Sequence, residues 1–278
     1  LDPTVTASAT AGEITYCNVF EGLTVIDCQG KLAPRLATQW QVADDKLSYR
    51  FTLRPGVRFH DGKRFDAEVA ASSLRRIIAA DSRNPQKPWF QKIAAVQPEG
   101  RDTLVIKLQQ PDALLPFALA LPAAVIVHPD SAQANASAPV GTGPFRFVEW
   151  RKGHSVLLER SGAHWGKQPA LRSATFQFLT SSAETENLLA EGRLDGLGAV
   201  TKMVDAFMKR PDYRMSSRKL ETKMIVAINN ARAPFDDRRV RRALAHAIDR
   251  RDVMTIYGTQ FESEPIGSHF SPWHPAYV

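Results

Sequence analysis

Cysteine is scarce: Cys17 and Cys28 are the only two in 278 residues. Two are too few for a disulfide-built fold or a zinc site. They lie eleven positions apart, and one bridge or two free thiols are both compatible with that spacing, because the Cβ geometry decides. Long apolar runs are also missing. The longest weakly polar stretch, "ALLPFALALPAAVIV" (113–127), is short and cut by Pro116 and Pro122, so no segment can span a bilayer. The opening Leu1-Asp2-Pro3 has neither the basic start nor the apolar stretch of a signal peptide, as in a mature or trimmed chain.

Catalytic and metal signatures are absent too. The seven histidines, His60, His128, His154, His164, His246, His269 and His274, show no HExxH or other tight ligand spacing. Surface roles are expected for all of them, and no metal site. No GxSxG elbow is present. Asp44-Asp45 sits beside a turn and reads as turn chemistry. No local pattern marks an enzyme, and none calls for a cofactor.

What is present is the composition of a globular chain, 44% hydrophobic and 23% charged, of a length that suggests about two domains. The net charge of +7 raises nucleic acid as a partner. The densest basic cluster, "DDRRVRRALAHAIDRRD" (236–252), argues against it. Val240, Ala243, Leu244, Ala247 and Ile248 fall at helical spacing. The arginines at 238, 239, 241 and 242 then lie mostly on the wet face of one amphipathic helix, without aromatic interleaving for base stacking. No nucleic-acid partner is expected.

Local patterns alternate between strand and helix. Residues 12–27 read as a helix, a stop at Gly22 and a short strand. In "LSYRFTL", Tyr49, Phe51 and Leu53 alternate with polar residues, a strand with one buried face. Residues 66–80 switch to helical period, with Asp66 as N-cap and Ala67, Ala70, Leu74, Ile77 and Ile78 inward. Strands are expected at 102–111, 171–180 and 222–229, and a hairpin over 144–160. A helix over 181–192 has a capping box, Ser181 to Glu184, and a terminal Gly192. The small, polar stretch 128–140 reads as a connector and candidate boundary. Such a mixture is α/β or α+β with more than one sheet.

The glycine-rich "VGTGPFRFVEW" (140–150) invites a nucleotide reading. It lacks the Lys-Ser/Thr of a P-loop and the third glycine of a dinucleotide fingerprint. It also runs into proline and a strand, whereas phosphate loops feed helix N-termini. Gly141 and Gly143 fit a close backbone approach or a hinge better.

Taken in order, the pieces resemble a known family. "VFEGLTVIDCQGKLAPRLATQWQVADDKLSYRFTLRPGVRFHDGKRFDAEVAASSLRRI" (19–77) is similar to the signature stretch of ABC-transporter solute-binding proteins of the peptide/nickel class. "GTGPFRFVEW" with "VLLERSGAHWG" (141–166), "LLAEGRLDG" (188–196) and "INNARAPFDDRRVRRALAHAIDRRDVM" (228–254) resemble further signatures, in the family's order.

The resemblance implies a periplasmic-binding-protein-like, bilobed α/β fold of type II with an inserted subdomain. Mapped here, lobe I comprises residues 1–45 and 141–218, the insertion 46–140, and residues 219–278 begin lobe II. It implies a monomer in the periplasm, or lipid-anchored on the outer face of the cytoplasmic membrane. Such a protein captures di- or oligopeptides and delivers them to the permease of an ABC importer. A nickel chelate, haem, an opine or a sugar is the alternative cargo, and a ligand-sensing receptor domain the alternative role. Peptide binders hold the ligand as an added β-strand, and the lobe I edge implied for this is Ala7, Ser8 and Ala9. Trp89 or Phe90 is the implied aromatic wall, and Thr142 and Gly143 are implied at or near the cleft. The family pattern continues beyond residue 278, so an N-terminal portion is expected, which on its own binds solute weakly because one lobe cannot close by a hinge.

Overall fold

The computed structural model describes residues 1–198, 214 and 225–256. The chain divides into two compact units, Leu1–Phe178 and Leu179–Val278.

The first unit is built from antiparallel sheets and short helices. Helix α1 (Ala9–Thr15) is capped by Ser8, whose side chain accepts from the Ala11 N–H. It leads to a two-stranded sheet of β1 (Thr24–Ile26) and β2 (Leu32–Pro34). A four-stranded sheet follows, ordered β3-β4-β6-β5, from β3 (Ala37–Val42), β4 (Ser48–Leu53), β5 (Ile93–Glu99) and β6 (Thr103–Leu108). Tyr49, Phe51 and Leu53 are buried as their alternation predicts. Helix α2 (Ala67–Ile78) packs on this sheet. Asp66 caps it by accepting from the Val69 N–H, and Ala67, Ala70, Leu74 and Ile77 are buried. Together they form the larger hydrophobic cluster, which also holds Phe59 and Phe90.

After the short helix α3 (Leu115–Ala118), a three-stranded sheet is ordered β7-β8-β9, from β7 (Phe145–Arg151), β8 (Ser155–Arg160) and β9 (Ser173–Gln177). Its apolar face meets α1 and the segment Val125–Val127 in a second cluster with Ile14, Phe20, Val156 and Leu158. In the second unit, α4 (Ser182–Ala190) begins with the expected cap, Ser181 accepting from the Glu184 N–H, and ends before Gly192 at φ 68°. Two further helices are α5 (Arg238–Ala247) and α6 (Arg250–Ile256).

Several sequence expectations need correction. Residues 236–252 are not one helix: Ile248 leaves the helical region as the C-cap of α5 and is 40% exposed. No residue of α5 is buried, so its apolar stripe meets no core among the described residues. Of the strand expected over 222–229, residues 222–224 lie outside the described residues. Ile225–Asn229 carries no strand, and an extended segment becomes one only when its N–H and C=O groups find a partner. The connector 128–140 is packed rather than free. Asn135 is fully buried and its Oδ1 accepts from the Val140 N–H, while the amino terminus of Leu1 donates to the Ala136 carbonyl. Cys17 and Cys28 are both free thiols.

Candidate functional site

The signature segments meet at one buried carboxylate. Glu21 sits in the segment between α1 and β1 with no solvent exposure. Its Oε2 accepts from Thr142 Oγ1 at 2.8 Å and from Trp165 Nε1 at 2.9 Å. Its Oε1 faces Arg35 Nη2 at 2.6 Å and His164 Nε2 at 3.5 Å. Burial pushes this carboxyl up, but the opposing His164, Arg35, Trp165 and Thr142 together hold it below the usual carboxylate range. The charge is thus kept and neutralised in place. The Arg54 guanidinium lies 4.2 Å and that of Arg35 5.3 Å from the centroid of the Trp165 ring, so two cations stack on the indole that donates to Glu21.

The glycine loop is fastened to this centre. A Cβ on Gly141 would collide with the Val19 carbonyl, and one on Gly143 with the Asn18 carbonyl. The backbone approaches so closely because the Gly143 N–H donates to Val19 O at 2.9 Å and the Phe145 N–H to Asn18 O at 2.9 Å. His60 clamps the loop from the other side. Its Nδ1 accepts from the Gly141 N–H at 3.3 Å, and its Nε2 stands 2.9 Å from the Gly143 carbonyl. One nitrogen accepting and the other donating is the neutral imidazole. Burial lowers its pKa accordingly. Of the two sequence readings, close approach is the one these contacts satisfy.

His60 and His164 are therefore not surface residues; both are taken up in this polar centre. Thr142 and Gly143 are buried in it as well, the hydroxyl turned to Glu21, so neither presents a group to an open cleft. Phe90 is 1% exposed and belongs to the larger cluster. Trp89, on the same 3-10 turn, is 54% exposed. Ala7, Ser8 and Ala9 are exposed, but Ala9 already belongs to α1 and Ser8 caps it. Ser8 also spends its N–H on Thr6 Oγ1 and its carbonyl on the Gly12 N–H, which leaves Thr6 and Ala7 as the non-helical backbone before α1.

Glu21, Arg35, His60, His164 and Trp165 were missed as a set. Each stands inside a quoted signature, "FEGL", "APRLA", "FHDG" or "HWG", but their convergence spans up to 144 positions. Chemically, Glu21 Oε2 is taken up by two hydrogen bonds, while Oε1 is held by the facing charge of Arg35 rather than by a hydrogen bond. Among the described residues no cluster of His, Cys, Asp and Glu could hold a metal ion, and no helix is long and apolar enough to cross a membrane.

A mixed α/β chain locked in this way has clear relatives. Residues 31–278 match the family model described as bacterial extracellular solute-binding proteins, family 5, and the chain belongs to that family. It is 29% identical over 258 residues to the nickel-binding periplasmic protein of Escherichia coli K12, covering 87% of this chain and 49% of that protein. It is 27% identical over 262 residues to the glutathione-binding protein GsiB of Salmonella paratyphi A, with 92% and 51% covered. The periplasmic binding protein DppA from Helicobacter pylori, solved with the peptide STSA, superposes at a TM-score of 0.79 and 22% identity. That match covers 98% of this chain and 58% of DppA. The fold is thus part of the type II periplasmic-binding-protein fold, and the chain spans about half the length of the curated relatives it matches.

Proposed function

We propose that this chain is part of the solute-binding component of an ABC importer, capturing di- or oligopeptides outside the cytoplasmic membrane and passing them to a membrane permease. The observation that carries this is the family match over residues 31–278. Its support for peptide cargo comes from relatives named for glutathione and solved with a tetrapeptide. The non-helical backbone of Thr6 and Ala7 is what is available before α1 for an added strand. Trp89 is the exposed aromatic of the implied wall. The role is binding rather than catalysis, in the periplasm or lipid-anchored on the outer face of the cytoplasmic membrane, by a monomer.

In this reading the polar centre around Glu21 fastens the glycine loop and is structural. The division into lobe pieces also stays a proposal. Its cut at 45/46 falls in the turn between the paired strands β3 and β4, so we place the start of the insertion before Ala37.

Native mass spectrometry of the whole protein, purified without refolding from its host compartment, tests the reading. Retained masses matching short peptides support it. A metal chelate, a sugar or an opine would replace it with the second reading, which the 29% identity to a nickel-binding protein favours.

A further inference from the structure

The loop between β4 and α2, which also carries His60, forms a small hairpin. Val57 and Phe59 alternate with Arg58, and Phe65 with Arg64. The apolar residues are buried, so both arginines face outward. Arg58 and Arg64 are antiparallel bridge partners. Two like charges directly opposite each other are unfavourable. Arg101, from the turn between β5 and β6, lines the same open cleft of about 370 Å³.

Elsewhere on this unit several exposed arginines are paired with carboxylates, although Arg83 and Arg172 are not. Arg50 meets Glu99, Arg75 meets Glu68, Arg146 meets Glu159 and Arg151 meets Glu149. Among the described residues none of Arg58, Arg64 and Arg101 has a carboxylate within ion-pair distance, although Asp66 and Asp102 line the same cleft. Asp66 is committed to the Val69 N–H at the start of α2. Arg58 spends one N–H on the Gly62 carbonyl at 2.8 Å. The remaining guanidinium donors are free, and their forked geometry suits a tetrahedral oxyanion bound through paired N–H groups.

We infer that the cleft between Arg58, Arg64 and Arg101 is a binding site for a phosphate-type oxyanion. Its source is either free phosphate or the headgroup of an anionic phospholipid. The site is separate from solute capture, and the inference is the same whichever cargo the protein carries. A headgroup there would keep the protein against the membrane surface; free phosphate would make it an anion-sensitive face.

The test measures two affinities on the protein and two variants. One arm titrates inorganic phosphate by calorimetry, and the other measures co-sedimentation with phosphatidylglycerol-containing against pure phosphatidylcholine vesicles. The site variant is Arg64→Gln/Arg101→Gln. The control, Arg238→Gln/Arg242→Gln, removes the same charge from exposed arginines on α5. Saturable phosphate binding that drops roughly tenfold or more in the site variant alone supports the site with free phosphate as source. Selective vesicle binding lost in the site variant alone supports it with the headgroup as source. Absence of both, or equal loss in the control, overturns it. Should the glutamine variant fail to fold, Arg64→Lys/Arg101→Lys keeps the charge but loses the fork. It must still weaken binding, and unchanged affinity there also overturns the site.

Discussion

Glu21 is the residue on which most of the signature sequence converges, and its energetics follow from burial. Removing one partner of a buried ion pair leaves the other charge uncompensated, a cost of about 3–5 kcal/mol. Glu21→Ala strands Arg35, His164 and the Trp165 N–H together, so urea denaturation is expected to show a loss in that range. The pH dependence has two windows. The Glu21 carboxyl is held low in the folded chain, so its contribution is complete above the unfolded value of 4.5 and is lost as pH falls through the lower folded value. The His60 pKa is also lowered, by burial, so the unfolded chain takes up its proton first. Its contribution is complete above 6.5 and declines as pH falls from there toward the folded value. Midpoints measured from pH 8 to 3 are expected to fall in two steps. Glu21→Gln flattens the more acidic step and His60→Ala the other. A wild-type profile flat from 6.5 to 5 would remove the role assigned to His60.

Among the elements, those with one wet and one dry face were legible. β4, α2 and the β7–β8 hairpin each bury one face, and their side-chain period shows it directly. The edge strand β5 was not legible, since Pro98 stands inside Ile93–Glu99 and its alternation is broken by a register shift. The apolar period of α5 predicted a buried stripe that the described residues do not supply, because period reports what a helix could bury and not what is there to bury it. The Glu21 centre was illegible for another reason: its partners lie 14 to 144 positions away, and spacing carries no signal at that range.

The Gly141 and Gly143 positions give the sharpest test at this scale. Gly143→Ala forces a Cβ into the Asn18 carbonyl, and neither backbone can yield without breaking its hydrogen bonds. A cost at the upper end of about 1–3 kcal/mol is expected. Gly162→Ala, whose added Cβ meets nothing within 4 Å, is expected to be near neutral. Equal thermal shifts for the two would mean the loop is not pinned.

For the whole molecule, the distribution of buried side chains decides which part carries cooperativity. Both hydrophobic clusters, and every large side chain that is fully buried among the described residues, lie within Leu1–Phe178. The described part of the second unit buries only Leu188, Leu189 and Thr185. Each unit of structure needs its own apolar core to fold alone, and the first has one that includes the Glu21 centre complete with Arg35, Thr142, His164 and Trp165. Residues 1–178 expressed alone are therefore expected to unfold in one cooperative transition, with near-ultraviolet circular dichroism that reports Trp40, Trp150 and Trp165 in fixed surroundings. Its midpoint should match that of the main transition of the whole chain within a few degrees, because a ΔΔG of about 1 kcal/mol shifts a domain of this size by roughly 2–4 °C. A broad, non-cooperative melt would show that the second unit contributes core contacts to the first. In that case solute capture would have to be sought in a body larger than the sheets and helices described for either unit by itself.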